Sequence, residues 1–138
     1  MPCPAFVENQ ALDAVQHQLE AYNARDIEAF MQWWADNCRY YEFPDRLLAS
    51  GKDQIRDRHL ERFKDTVLCG TLVSRMAVGD TVIDQEVVTR TFPDGKGEID
   101  VIAIYQLFDG KIINAWFKFG TPRLYAERAD RTDSAAAE

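Results

Sequence analysis

A chain of 138 residues with 46% apolar, 28% charged and 12% aromatic side chains is expected to form one soluble domain around one core, with no need of a disulfide or metal clamp. Its 16 lysines and arginines are outnumbered by 23 aspartates and glutamates, a net charge of -7 with no basic stripe, which argues against nucleic acid and anionic membrane surfaces as partners. The apolar run from Val101 to Phe108 is far too short to span a bilayer, and Met1-Pro2-Cys3-Pro4-Ala5 has neither a basic leader nor an apolar h-region, so a cytoplasmic location is expected.

From Glu8 to Ala24, Leu12, Val15, Leu19 and Tyr22 recur at steps of three and four, the spacing of an amphipathic helix. Asp26 is placed to cap a second, shorter helix whose face is Ile27, Phe30, Met31 and Trp34. The aromatic segment from Cys38 to Phe43 suits a strand that ends at Pro44, followed by a loop to Gly51. A third helix, from about Asp53 to Lys64, carries Ile55, His59, Leu60 and Phe63 on one side, so His59 is expected on the buried face.

Beyond Thr66 the pattern turns strand-like: Leu68 to Val78, Thr81 to Phe92, Glu98 to Phe108 and Lys111 to Phe119, joined by short Gly-containing turns that mark antiparallel hairpins. Helices first and a meander after is an α+β arrangement. Residues 1–125 are read as one domain, and the segment from Ala126 to Glu138, charged and then Ala-rich, as a flexible tail.

Ile99, Val101, Ala103, Tyr105 and Leu107 share one face of their strand, and Ile113, Ala115, Phe117 and Phe119 one face of the next. Ile102, Ile104, Ile112 and Trp116 make the opposite face apolar as well. Three helices cover one side only, so Ile102, Ile104 and Trp116 are expected in a self-complementary homodimer contact.

Cys3, Cys38 and Cys69 are odd in number and widely spaced, which predicts free thiols. His17 and His59 have no ligand-spaced carboxylate or cysteine beside them, so neither a metal nor another cofactor is expected. The sequence lacks a Gly-rich phosphate loop, GxSxG and HExxH, which leaves nucleophilic serine chemistry unsupported.

The junction Tyr22-Asn23-Ala24-Arg25-Asp26, Gly51 before the third helix, and Asp109-Gly110-Lys111-Ile112 with Phe119-Gly120 at the close carry a resemblance over roughly residues 8–120. The chain resembles the nuclear transport factor two-like superfamily, which includes ketosteroid isomerase and the SnoaL-like polyketide cyclases. The resemblance implies a strongly curved sheet closed by the helices into a cone, with an internal pocket that holds a small apolar or aromatic ligand. These markers speak to architecture more than activity.

Laid on the ketosteroid isomerase pattern without a gap between Asn23 and Gly51, Glu42 falls on the general-base carboxylate. His59 falls where the isomerases place a tyrosine that supports the catalytic tyrosine, Gln18 on the catalytic tyrosine itself, and Ala103 on a protonated aspartic acid. Both oxyanion donors are thus missing. Loss of one donor costs about 2.7 to 4 kcal/mol of transition-state stabilisation, so steroid isomerisation itself is not expected.

Glu42 shares a strand face with Cys38 and Tyr40 beside Phe43 and Pro44, a setting that would raise a carboxylate's pKa and suit it to accept a proton next to a carbonyl, with His59 or Gln18 as donor to the carbonyl oxygen. The plainer alternative pairs Glu42 with Arg39 or Arg46 in water, and makes His59 a core histidine and Gln18 a helix-edge residue. Tyr22, Tyr40, Ala103, Tyr105, Phe117 and Phe119 are the expected ligand-binding wall. Asp84 and Glu86 share a strand face with Arg75 or Arg90 within reach across it, a set that could activate water as in limonene epoxide hydrolase; cross-strand ion pairs on a solvated face are the commoner outcome. The reading that follows is a cofactor-free isomerase, cyclase or lyase acting on an apolar carbonyl compound, with Glu42 and His59 catalytic. Its alternative is a noncatalytic ligand-binding or dimerisation module.

Overall fold

The computed structural model describes residues 4–125. The expected C-terminal tail and Cys3 lie outside them. Two features follow the sequence pattern closely: a helical hairpin opens the chain, and four strands follow the third helix as a meander. Helix α1 (Pro4–Ala24) and the short α2 (Ile27–Met31) precede β1 (Trp34–Glu42) and β2 (Arg46–Ser50); α3 (Lys52–Arg62) leads into β3 (Cys69–Val78), β4 (Thr81–Phe92), β5 (Gly95–Phe108), β6 (Lys111–Phe119) and the two-residue β7 (Arg123–Leu124).

Four expectations are corrected. Trp34 does not continue α2: the backbone turns extended, the Ile112 amide donates to the Trp33 carbonyl at 2.7 Å, and Trp34 opens β1 fully buried. The stretch before Gly51 is not all loop, since Arg46–Ser50 pairs antiparallel with β1. Leu60 leaves the buried face of α3 and is 42% exposed, because one residue beyond His59 the helix has turned about 100°.

The fourth correction concerns strand direction. The strands run β2-β1-β6-β5-β4-β3 in one curved, open sheet, with β7 beside β5. All pairs are antiparallel except β1 with β6, which is parallel, so the sheet is mixed. The helical hairpin returns the chain so that β1 enters alongside β6 in the same direction, Trp34 opposite Ile112.

Strict alternation places Val82, Asp84, Glu86 and Val88 of β4 and Ile99, Val101, Ala103, Tyr105 and Leu107 of β5 on the concave face, all buried. On β6 the alternation is interrupted. A register shift between Gln106 and Leu107 pairs Ile112 with Leu107 and Asn114 with Gln106, so Ile112 is fully buried and Ile113 only half so. On the convex face, Met76, Ile83, Ile104, Trp116 and Tyr41 stand in one register row across five strands, and Tyr41 stacks on Trp116 at 5.7 Å.

The helices are fixed to the sheet by a few local devices. Helix α1 ends with Arg25 at positive φ, its amide donating to Tyr22 and that of Asp26 to Ala21, both at 3.0 Å. Asp26 then caps α2 through the Ala29 amide. Gly51, at φ 88, turns β2 into α3 where a side chain would be strained, and its amide donates to the Cys38 carbonyl at 2.7 Å. Asn23 joins α1 to β3 through both ends of its amide: it donates to the Gly70 carbonyl at 2.9 Å and accepts from the Gly70 amide at 2.7 Å. Asn23→Ala removes both bonds and leaves two partly buried backbone groups unpaired, so urea unfolding is expected to show a loss of about 2 to 3 kcal/mol. A loss under about 0.5 kcal/mol, the size of an ordinary surface change, would show that this clamp does not hold α1.

Candidate functional site

Where the helices leave the concave face of the sheet uncovered, a narrow cavity of about 70 Å³ opens, about 680 Å³ with its open mouth included. Helix α1 lines it with Gln18, Leu19 and Tyr22, and β1 with Trp34 and Tyr40. Helix α3 adds Arg58, His59 and Arg62, on the i and i+4 positions that flank the histidine. The sheet supplies Glu86, Val88 and Arg90 from β4, then aliphatic and aromatic residues of β5 and β6, Tyr105, Phe117 and Phe119 among them.

Of the residues expected at a site, Gln18, Tyr22, Tyr40, His59, Tyr105, Phe117 and Phe119 are thus brought together. Ala103 and Glu42 are not among the lining residues. Ala103 is buried opposite Phe117. Glu42 ends β1 directly across from Arg46 and forms an ion pair with it at 3.0 Å, its side chain 40% exposed. The turn through Phe43 and Pro44 that closes this hairpin brings Arg46 opposite Glu42 as its partner.

The carboxylate that does line the cavity is Glu86, 6% exposed. Burial, reinforced by the neighbouring charge of Asp84 and opposed by Arg75, raises its pKa to about 7. A Cβ at Gly70 would come within 2.8 Å of its Oε1, so the glycine leaves the carboxylate room that a larger residue would take by pushing it aside. Asp84, one step along the same face, is fully buried and bound at both oxygens by Arg75, at 2.6 and 2.9 Å, while Gln16 accepts from the same guanidinium. The anticipated cross-strand ion pair therefore exists, but on the interior face and not a solvated one. Its effect is to occupy Arg75 on Asp84 and leave Glu86 protonated through most of the acidic range.

His59 is caged by aromatic rings, with Phe30 at 4.5 Å and Tyr40 at 5.6 Å. Burial lowers its pKa to about 4, with Arg58 and Arg62 acting in the same direction against the bond to Ile55. The ring is neutral at pH 7. Its Nδ1 lies 2.8 Å from the Ile55 carbonyl, which only accepts, so Nδ1 carries the proton and Nε2 is a lone pair. The donor role anticipated for His59 is closed by this geometry. Gln18 is engaged with the Tyr105 hydroxyl and, more weakly, with the Val15 carbonyl at 3.4 Å.

Donors come from elsewhere. Burial raises the Tyr22, Tyr40 and Tyr105 hydroxyls well above pH 7, so all are protonated phenols. Trp34, fully buried, has an indole N–H with no acceptor among the described residues. The sequence reading leaves out Trp34, Arg58 and Arg62 as site residues, and takes Glu86 and Arg90 only as part of a water-activating set with Asp84. Trp34 was hidden by its helical spacing from Phe30, and Glu86 by an acidic neighbourhood that reads as solvated. The arginines had a visible signal, two of them flanking His59 at helical spacing.

Among the described residues no group of three metal-ligating side chains is present, and no helix is long and apolar enough to cross a membrane. Solved structures of similar fold include an uncharacterized cystatin fold protein from Novosphingobium aromaticivorans, with a TM-score of 0.72 and 21% identity over 78% of this chain and 96% of the other. An LEH-like epoxide hydrolase of M. tuberculosis matches with a TM-score of 0.70 and 16% identity, covering 82% of this chain and 84% of its own. A putative polyketide cyclase from Sinorhizobium meliloti gives 0.64 and 17%, over 76% and 93%. No curated protein matches the chain in sequence. At these identities the solved structures speak to fold alone, whereas the model of the SnoaL-like domain matches the sequence itself across residues 15–115, most of the chain; the protein belongs to the SnoaL-like domain family, within the nuclear transport factor two-like fold.

Proposed function

We propose that residues 1–125 act as one cytoplasmic domain that binds a small apolar or aromatic carbonyl compound in the cavity and moves a proton on it, with Glu86 in the role first given to Glu42. The observation that carries this reading is the placement of Glu86: the one carboxylate among the cavity-lining residues, buried, with a pKa of about 7. A general base works best when its pKa is near the operating pH, a condition Glu86 meets from within the cavity wall, whereas Glu42 is outside that wall and paired with Arg46. The Trp34 indole and the phenols of Tyr22 and Tyr105 are donors for a carbonyl oxygen, the function that Gln18 and Ala103 cannot supply. His59 serves as a neutral packing and accepting group. No metal or other cofactor is required by this set.

The sheet's convex row supports a homodimer. Ile102 is 43% exposed, and Ile104 and Trp116 lie in the apolar row that crosses five strands, a self-complementary patch of the kind a two-fold contact uses. Trp116→Glu should shift the protein to monomer in sedimentation equilibrium. A wild type already monomeric at high micromolar concentration would remove the dimer from the account.

Proton transfer is testable without the natural substrate. Phenylacetone in D₂O should exchange its α-hydrogens faster with the protein present, along a titration centred near pH 7. Glu86→Gln should slow that exchange by about 10²-fold or more, and Glu42→Gln should leave it intact. The opposite pattern would return the base to Glu42, and no exchange at all would favour the noncatalytic module.

Stability has a matching pH signature. An unfolded Glu86 loses its proton near 4.5 and the folded one near 7, so the fold loses about 3 kcal/mol from this group as pH rises across that window, and nothing further above it. His59 acts in the reverse sense, costing stability as pH falls from 6.5 towards 4. Glu86→Gln should therefore be more stable than wild type at pH 8 and nearly equal to it at pH 4.5 in urea titrations. Parallel curves for the two proteins would mean an unshifted carboxylate.

A further inference from the structure

The outer part of the cavity has a charge pattern that proton transfer does not use. Arg58, Arg62 and Arg90, from α3 and β4, converge on the mouth and are half-buried. In a chain with seven more acids than bases, cations are expected to find carboxylates, and Arg46, Arg56, Arg75 and Arg123 do. The three at the mouth have no carboxylate within salt-bridge distance among the described residues. Arg58 lies over the Tyr40 ring at 5.2 Å and Arg90 over the Phe92 ring at 4.7 Å, contacts that orient a guanidinium without neutralising it. The Nε of Arg90 is buried with no hydrogen-bond partner among the described residues.

Like charges held together this way repel, and the repulsion registers on their neighbours. Arg58 and Arg62 both disfavour a proton on His59, and both add to the burial that weakens the hold of Arg90 on its own. Glu86 does not neutralise them: it stands four residues before Arg90 on β4 and makes no salt bridge with any of the three among the described residues.

Resting on the reading of the cavity as a small-molecule site, we infer that the ligand is a carboxylic acid, bound with its apolar or aromatic body among Tyr40, Tyr105 and Phe117 and its carboxylate on Arg58, Arg62 and Arg90. A planar carboxylate matches the paired donors of a guanidinium. Beside these arginines the outer groove also carries Asp65 and the Glu61–Lys64 ion pair, so its excess positive charge is smaller than the three guanidiniums alone would give.

The probes are benzoate, its neutral isostere benzamide, and phenylphosphonate, titrated calorimetrically into the intact protein at low and at physiological salt. Benzoate should bind about tenfold more tightly than benzamide, and the advantage should shrink with salt. Arg62→Gln and Arg90→Gln should each remove most of it, while Arg39→Gln, exposed on β1 outside the cavity, should not. Equal binding of benzoate and benzamide, tighter binding of phenylphosphonate, or no benzoate binding at millimolar concentration would each overturn the assignment, and none of these comparisons depends on a variant folding. Benzoate has no α-hydrogen and phenylacetone has no charge, so failure of the carboxylate site and failure of the proton-transfer reading are seen in different experiments.

Discussion

The constraint from which the rest follows is a mismatch of areas. A six-strand curved path presents a concave apolar face, and two packed helices with a short connector between them do not roof all of it. An uncovered apolar face must be filled, partnered or put to use. Here the inner part is filled by Phe30, Trp34, Ile55 and their neighbours, and the remainder is a cavity with polar groups set into its wall. The clamp of Asn23 on Gly70 and the glycine turn into α3 fix where each helix lies, and so fix which part stays open.

Charge inside that cavity is arranged by subtraction. Two acids and one arginine occupy adjacent positions of the concave face, but Arg75 is committed to Asp84 at both oxygens. Glu86 is left without a cation of its own, in a setting where a free carboxylate is costly, and the outcome is a proton held to near neutrality. The same burial that makes His59 neutral keeps the tyrosines protonated, so the interior is rich in groups that share hydrogens and poor in fixed charge. Unpaired positive charge along the cavity lies at its mouth.

Much of this architecture was readable from residue order. The boundaries of β4 and β6 follow directly from alternation bounded by glycine turns, and His59 was placed on the buried face of its helix by spacing alone. The aromatic wall of Tyr105 and Phe117 was likewise legible, since both lie in phase with small or aliphatic neighbours that only a core would want, and Tyr40 lies in an aromatic strand segment. Glu42 against Glu86 was not legible. Both are carboxylates on strands beside apolar residues, and what separates them is the partner each meets: Arg46 arrives opposite Glu42 through a hairpin turn, whereas the arginine near Glu86 is taken by Asp84.

Local periodicity and turn chemistry act over a few residues, so the sequence by itself determined the α+β order, the helix and strand faces and the existence of a largely apolar interior. The parallel seating of β1 beside β6, the shift that turned Ile112 inward, and the choice of which acid faces the cavity depend on strands brought together from distant parts of the chain. Those were decided only by the tertiary structure, because a side chain's partner and its distance from water are properties of its neighbours in space and not of its neighbours in sequence.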